Sequence, residues 1–172
     1  MKTRGFILSM ILIALATVAF AQSEAQSSFD KLKALAGTWE GVLTTIPAEP
    51  TMDGKSVQVW LRVTSMGNAL MHEMKMTGRP DDPITMLYVD GDRLLLTHYC
   101  DAGNRPRMVG KMAPDAKTVN FDFLDLSGST QPGYMHNASF TDVSPDHHVE
   151  EWTFLVEGKG PLRAHLDLQR KK

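Results

Sequence analysis

Short apolar-rich runs alternate with turn signals from Gly37 to the C-terminus, and no amphipathic helical pattern interrupts them. The runs favour extended backbone, and dipeptides such as Asp90-Gly91 and Ser144-Pro145 mark tight turns between them. Every connection is short enough for a hairpin, so strands that follow one another in the chain are expected to pair. The pattern predicts ten strands, over residues 38–46, 57–65, 69–77, 84–89, 92–100, 105–112, 118–126, 134–141, 149–156 and 162–169.

A meander of ten strands leaves two unpaired edges unless its first and last strands pair with each other. The short connections therefore predict an all-β fold, a ten-stranded antiparallel up-and-down barrel, with a short helix before it. Phe29, Leu32 and Leu35 have helical spacing, and Gly37 ends that segment. We expect the helix to close one end of the barrel.

The first 21 residues have the features of a secretion signal. Lys2 and Arg4 precede a run of apolar residues, and Ala19-Phe20-Ala21 supplies a small-residue cleavage site. The expected location is therefore periplasmic or secreted. Residues 22–28 are small and polar and are predicted to form a disordered leader, and residues 29–172 are predicted to form a single β-barrel domain.

Composition argues against several classes of function. The formal net charge is −2 at pH 7, so there is no basic excess to bind nucleic acid or an anionic membrane. After signal cleavage no apolar run is long enough to span a membrane as a helix. Cys100 is the single cysteine, so no disulfide can form within the chain. The expected partner is a small molecule, and the sequence leaves the oligomeric state open.

Counting residues across the hairpins assigns the more apolar and aromatic face of the sheet to the barrel interior. Tyr99 is expected opposite Pro106, which places His98 and Cys100 on the outer face. The candidate ligand-binding residues of the wall are Trp60, Tyr88, Tyr99, Met108, Phe121 and Phe123. Polar residues gather at one end of the predicted barrel, and the candidate groups at its mouth are Arg107, Asp125 and His136.

Three residues suggest a metal site or a thiol enzyme as an alternative. His98 and Cys100 lie two apart on one strand face, and with His136 they contain the imidazole and thiolate ligands that zinc or copper prefers. Cys100 with His98 also resembles a nucleophile and its base, but strand neighbours on one face lie beyond the reach of proton transfer. The predicted outward face argues against both. We therefore expect no catalytic residue, no metal and no cofactor, and an enzyme is the less favoured interpretation.

Two further polar pairs are interpreted as surface. His147-His148 follows a turn signal, and Glu150-Glu151 has no partner carboxylate at a defensible spacing.

The segment Gly37-Thr38-Trp39-Glu40-Gly41 resembles the opening of a calycin barrel, the superfamily of lipocalins and fatty-acid-binding proteins. The resemblance implies that the tryptophan closes the barrel floor and stacks on an arginine of the last strand. Arg170, or less well Arg163, matches that position.

Within that superfamily the two ends of the chain resemble nitrobindin, a ten-stranded haem-binding barrel. Pro161-Leu162-Arg163-Ala164-His165-Leu166 resembles its last strand, so the resemblance implies His165 as the axial ligand of a haem. The chain departs from that family in its first strand and in its export signal. The middle of the chain, including Thr97-His98-Tyr99-Cys100 and Gly133-Tyr134-Met135-His136, resembles uncharacterised secreted bacterial lipocalin-like proteins.

The leading hypothesis is a secreted or periplasmic lipocalin-like protein that binds a small apolar or amphipathic molecule inside the barrel. The alternatives are a haem-binding barrel that uses His165, an enzyme that uses His98, Cys100 or His136, and a filled barrel that serves as a structural or interaction module.

Overall fold

The computed structural model describes residues 23–172, and the predicted signal peptide with its cleavage site lies outside the described residues. The described chain confirms the predicted fold class, because ten antiparallel strands close into one barrel. The strands are β1 (Gly37–Ile46), β2 (Lys55–Thr64), β3 (Ala69–Met76), β4 (Ile84–Asp90), β5 (Arg93–Tyr99), β6 (Arg105–Met112), β7 (Thr118–Ser127), β8 (Tyr134–Ser144), β9 (His147–Leu155) and β10 (Leu162–Arg170).

Each strand pairs with its neighbours in the chain, and β1 pairs with β10 to close the barrel. The closing ladder runs from Trp39 opposite Arg170 to Ile46 opposite Arg163. Closure satisfies the backbone groups of both edge strands, which an open meander would leave exposed.

An α-helix, α1 (Glu24–Ala34), precedes the barrel and packs against one end of it, which we call the lower end. The hydroxyl of Ser23 caps the helix by accepting a hydrogen bond from the backbone N–H of Gln26 at 3.1 Å. Phe29 and Leu32 are buried in the barrel core. The prediction of a disordered leader up to residue 28 is wrong from Glu24 onward, because the N-cap and the buried face extend the helix further back than its apolar residues indicated.

A tryptophan and an arginine seal the lower end. The indole N–H of Trp39 donates to the carbonyl of Leu35 at 2.8 Å, and the guanidinium of Arg170 lies 4.1 Å from the ring centroid of Trp39. Arg170 also donates to the carbonyl of Ala36 at 2.8 Å. The contact expected between Trp39 and Arg170 is confirmed, and it ties the first strand and the last strand to the segment that follows the helix.

The predicted pairing between β5 and β6 is wrong by one residue. Thr97 lies opposite Arg107 and Leu96 opposite Met108. The hairpin count that put Tyr99 opposite Pro106 also put Thr97 opposite Met108. A shift of one residue exchanges the two faces of a strand. The inward positions on β4 and β5 are Thr85, Leu87, Leu94, Leu96 and His98.

Candidate functional site

The upper half of the barrel interior contains a cavity of about 360 Å³. The cavity lies at the end opposite α1 and opens between the connections that follow β1, β3 and β5. Inward positions of several strands form its wall, namely Leu43, Met74, Met76, Met135, Phe154, Leu162, Ala164 and Leu166. Methionine side chains are flexible and polarizable, so such a wall adapts to ligands of different shape.

The rim of the cavity is charged. Arg79 forms an ion pair with Asp101 at 2.7 Å, and the backbone N–H of Asp101 lies 3.4 Å from a carboxylate oxygen of Asp81. Glu49 also borders the opening. The rim therefore carries one arginine and three carboxylates, which gives the entrance an excess of negative charge.

Three rings form the floor of the cavity: His72, His98 and Trp152. The ring centroids of His72 and His98 lie 5.7 Å and 5.5 Å from the ring of Trp152. All three side chains point inward from strands that belong to different parts of the sheet, β3, β5 and β9. At the floor, ring contacts therefore join side chains from three strands that are not neighbours in the sheet.

A fully buried carboxylate lies directly against this floor. The carboxylate of Glu150 lies 3.0 Å from Nε2 of His72 and 3.0 Å from Nε2 of His148, and it accepts a hydrogen bond from the indole N–H of Trp152 at 3.0 Å. A buried carboxylate requires both positive charge and hydrogen bonds. Here the imidazoles of His72 and His148 and the indole of Trp152 surround the carboxylate with three polar partners.

Burial alone would raise the pKa of Glu150, but the charge of His72 and the hydrogen bonds from His148 and His72 outweigh it. The pKa of Glu150 therefore lies well below its ordinary value, and the carboxylate stays ionised. Glu150, His72, His148 and Trp152, which we call the floor cluster, form a polar layer between the cavity and the packed lower core.

His98 behaves in the opposite way. Burial, aided by the positive charge of His72, lowers the pKa of His98 to about 3. Its Nδ1 lies 2.8 Å from the hydroxyl of Thr85 on the neighbouring strand. At neutral pH the floor therefore presents one uncharged imidazole to the cavity.

Cys100 borders the cavity above His98, on the same side of β5 and its following loop. Burial raises the pKa of the Cys100 thiol, and the nearby carboxylates of Asp101 and Asp81 add to that effect. A thiol with a raised pKa is a poor nucleophile at neutral pH. This environment does not favour the thiol-enzyme interpretation.

The six wall residues predicted from sequence lie elsewhere. Within the described chain none borders the cavity. Met108 and Phe121 are buried in the packed core, and Phe123 stacks on His136 at 5.1 Å. Tyr88 and Tyr99 were predicted to point inward, but the observed register of β5 places both on the outer face. Trp60 lies between the inward residues Val59 and Leu61 and therefore points outward as well. Their contact with a ligand remains a prediction that this geometry does not favour.

The predicted mouth groups form a different feature. Arg107 and Asp125 pair across β6 and β7 through two hydrogen bonds on the exposed surface. That carboxylate raises the pKa of Arg107, and Arg107 in turn lowers the pKa of Asp125. His136 lies at a bulge in β8, beside Phe123 and Tyr134. The fold thus separates His136 from His98 and Cys100, and in residues 23–172 no group of three or more histidine, cysteine, aspartate or glutamate side chains is arranged so that it could hold a metal ion.

His165 does not fit a haem inside this cavity. Ala164 and Leu166 border the cavity, and His165 between them has the opposite orientation on β10. Its Nδ1 is hydrogen-bonded to the carboxylate of Glu151 on the exposed side of the sheet. The residue that the nitrobindin resemblance selects is therefore on the wrong face of the strand to ligate a group in the lumen.

Sequence reasoning missed the residues of the floor cluster. His148 and Glu150 were interpreted as surface, but they share a strand face with Trp152, at spacings of two. In a closed barrel each strand turns one face to the core, and a large apolar residue such as Trp152 indicates that face. Counting in steps of two from Trp152 could therefore have placed Glu150 and His148 inside the barrel. His72 has the same relation to Leu70 and Met76 on β3.

Comparison with known proteins supports the fold and gives no activity. No protein-family model matches the chain, and no curated protein matches it. The crystal structure of Rv2717c from M. tuberculosis is similar with a TM-score of 0.64 at 14% identity, over 84% of this chain and 98% of that chain. A protein of unknown function of the DUF3598 family from Nostoc punctiforme is similar with a TM-score of 0.55 at 13% identity, over 81% of this chain and 49% of that chain. At such identities the likeness shows the barrel fold alone.

Among the described residues, no helix has the length and apolar character needed to cross a membrane.

Proposed function

We propose that this protein binds a small, mainly apolar molecule in the upper cavity of its barrel. The observation that carries the proposal is the contrast between a packed lower core and an apolar space of about 360 Å³ above it. Ligand sites in proteins are typically concave, mainly apolar and about 300–1,000 Å³ in volume, with a few polar groups that orient the ligand. The cavity has this character, with His72 and His98 as its polar groups at the floor.

The proposal includes export. The first 21 residues have the composition of a signal peptide, so a ligand of the periplasm or of the surrounding medium is the one the cavity would meet.

An uncharged environment-sensitive dye, N-phenylnaphthylamine, tests the proposal. We expect its fluorescence to rise on addition of the protein, and the variant Ala164→Leu to bind it at least ten-fold more weakly, because the added side chain enters the cavity. The matched control is Arg163→Leu, which places the same side chain one residue earlier on the outer face of β10. The control should bind the dye as the parent protein does.

The proposal fails if the dye stays dark with the parent protein. It also fails if Ala164→Leu binds the dye as tightly as Arg163→Leu, because binding would then lie outside the cavity.

A further inference from the structure

His98 is 5% exposed, and one of its two ring nitrogens has no hydrogen-bond partner among the described residues. Nδ1 is held by Thr85, whereas Nε2 makes no hydrogen bond to any described residue. The imidazole borders the cavity. Because the ring lines that space, a ligand atom there can supply the hydrogen bond that Nε2 lacks.

The buried hydroxyl of Thr85 decides which nitrogen of His98 carries the proton. Thr85 is fully buried, and the bond to His98 at 2.8 Å is the one side-chain hydrogen bond that Thr85 makes within residues 23–172. If the hydroxyl accepted from Nδ1–H, its own proton would be buried without an acceptor. If it donates to Nδ1, the hydroxyl proton is satisfied and the ring proton resides on Nε2. The cavity floor then presents an N–H donor.

Charge around the cavity selects against anions. The burial that lowers the pKa of His98 keeps that ring uncharged, so it cannot protonate to balance a carboxylate at neutral pH. Nε2 of His72 is already bonded to the carboxylate of Glu150 at 3.0 Å. The rim carries three carboxylates and one arginine, and this excess of negative charge repels an entering anion.

We propose that the ligand is an uncharged amphipathic molecule whose carbonyl or ether oxygen accepts a hydrogen bond from Nε2 of His98. The apolar remainder lies along the methionines of the wall, with Met74, Met76 and Met135 as its contacts. This inference rests on the proposed function, since it names the ligand class of the same cavity.

Competition among three probes of similar size tests the inference. Methyl hexyl ketone, octane and octanoate are each used to displace N-phenylnaphthylamine from the parent protein. We expect the ketone to bind about ten-fold more tightly than octane, the effect of satisfying one buried donor. Octanoate should bind most weakly. In His98→Phe the advantage of the ketone over octane should vanish, whereas the surface control His165→Phe should retain it.

Thr85→Val provides a second variant that keeps the imidazole. Without the hydroxyl the proton can reside on either nitrogen, so we expect the preference for the ketone to fall about three-fold, whereas the outer-face control Thr153→Val keeps it. NMR of isotope-labelled histidine reports the tautomer directly and does not depend on binding. The parent protein should show His98 with its proton on Nε2, and a proton on Nδ1 would overturn the inference.

The outcomes separate the two proposals. If neither the dye nor any probe binds, the proposed function is wrong and the inference falls with it. If octane competes as well as the ketone and His98→Phe changes nothing, the cavity binds apolar molecules but His98 does not recognise an acceptor. Tightest binding of octanoate would refute the requirement for an uncharged ligand.

Discussion

The lower and upper halves of the barrel interior are built by the same strands, yet one half is packed and the other is hollow. In the lower half large side chains fill the space, each at most 1% exposed: Trp39, Leu70, Leu94, Phe121 and Phe140. In the upper half the inward positions include Met74, Met135 and Ala164, which are partly buried around the cavity. The comparison shows that the choice of inward side chains, together with the helix α1 at the lower end, determines where this barrel is open.

A polar layer marks the boundary between the two halves. Glu150 and His148 are fully buried, and His72 is nearly so. Buried charge is costly to stability unless it is paired, and such clusters are retained in proteins for specificity or function more readily than for stability. Glu150 lies directly beneath the floor of the cavity, and its hydrogen bonds hold His72 and Trp152 in their orientation there.

The largest expected effect comes from breaking this layer. Glu150→Gln keeps the volume of the side chain but removes its charge, so His72 and His148 lose the carboxylate that they contact. We expect the free energy of unfolding to fall by about 3–5 kcal/mol, the usual cost of removing one partner of a buried ion pair. Chemical denaturation measures the change. Glu151→Gln, at the adjacent exposed position, should cost less than about 1 kcal/mol. Equal effects would show that the buried cluster has no special role in stability.

A second pair of variants compares the halves on a single strand. Leu70 and Met74 both point inward from β3, Leu70 in the packed half and Met74 at the cavity. We expect Leu70→Ala to destabilise the protein by about 3 kcal/mol because it leaves a cavity in a close-packed core. Met74→Ala should cost about 1 kcal/mol, since Met74 already borders empty space. A cost for Met74→Ala equal to that of Leu70→Ala would contradict the hollow upper half.

Acid should destabilise the protein through His98. Its pKa is lowered from 6.5 to about 3, so between these values the unfolded chain binds a proton that the folded chain does not. Stability is therefore complete above the ordinary histidine pKa and decreases as the pH falls from 6.5 towards 3. We expect a loss of about 3 kcal/mol from this residue between pH 7.5 and pH 4.

Glu150, whose pKa is also lowered, adds a loss of the same sign below its ordinary value of 4.5. Denaturation curves at several pH values test the assignment. His98→Phe should flatten the profile above pH 4.5, and His165→Phe should leave it unchanged. A profile that is the same in the parent protein and in His98→Phe would place the titrating group elsewhere.

The smallest of these effects distinguishes tight from loose packing by adding atoms. A Cβ atom built on Gly110 would lie 2.6 Å from a ring carbon of Phe121 and 2.8 Å from a methyl carbon of Leu94. We expect Gly110→Ala to cost about 2 kcal/mol through overpacking. Ala164→Leu should change stability by less than about 1 kcal/mol, because the larger side chain enters the cavity. Thermal unfolding of the two variants gives the comparison, and a large loss for Ala164→Leu would mean that the upper wall is already full.

The fold was predictable from the sequence to a large extent, since turn residues and short apolar runs place each strand within two residues of its observed bounds at most ends. The contact between Trp39 and Arg170 was also predictable, through its resemblance to calycin barrels. The inward face was not, because Leu94, Leu95 and Leu96 follow one another and offer no alternation to fix the register. An error of one residue at the β5–β6 hairpin therefore placed Tyr99 inward and His98 outward, the reverse of what the structure shows.

The floor of the cavity was harder to predict for a different reason. Glu150 and His148 are charged or titratable, and such residues are ordinarily exposed. Their burial depends on His72 from β3, a strand separated from β9 along the chain by the five strands β4 to β8. The alternation from Trp152 indicates that Glu150 and His148 point inward. Their partner His72 comes next to them only when the barrel closes, so the sequence of β9 does not reveal it.

The last strand ends where the first begins, with the backbone N–H of Lys171 donating to the carbonyl of Thr38 at 2.8 Å. A fluorescent reporter, a resin linkage or a lipid tether joined after Lys172 would therefore emerge beside the sealed pole and leave the opposite pole unobstructed. Immobilised in this way, every molecule on a sensor surface would present its entrance to the passing solution.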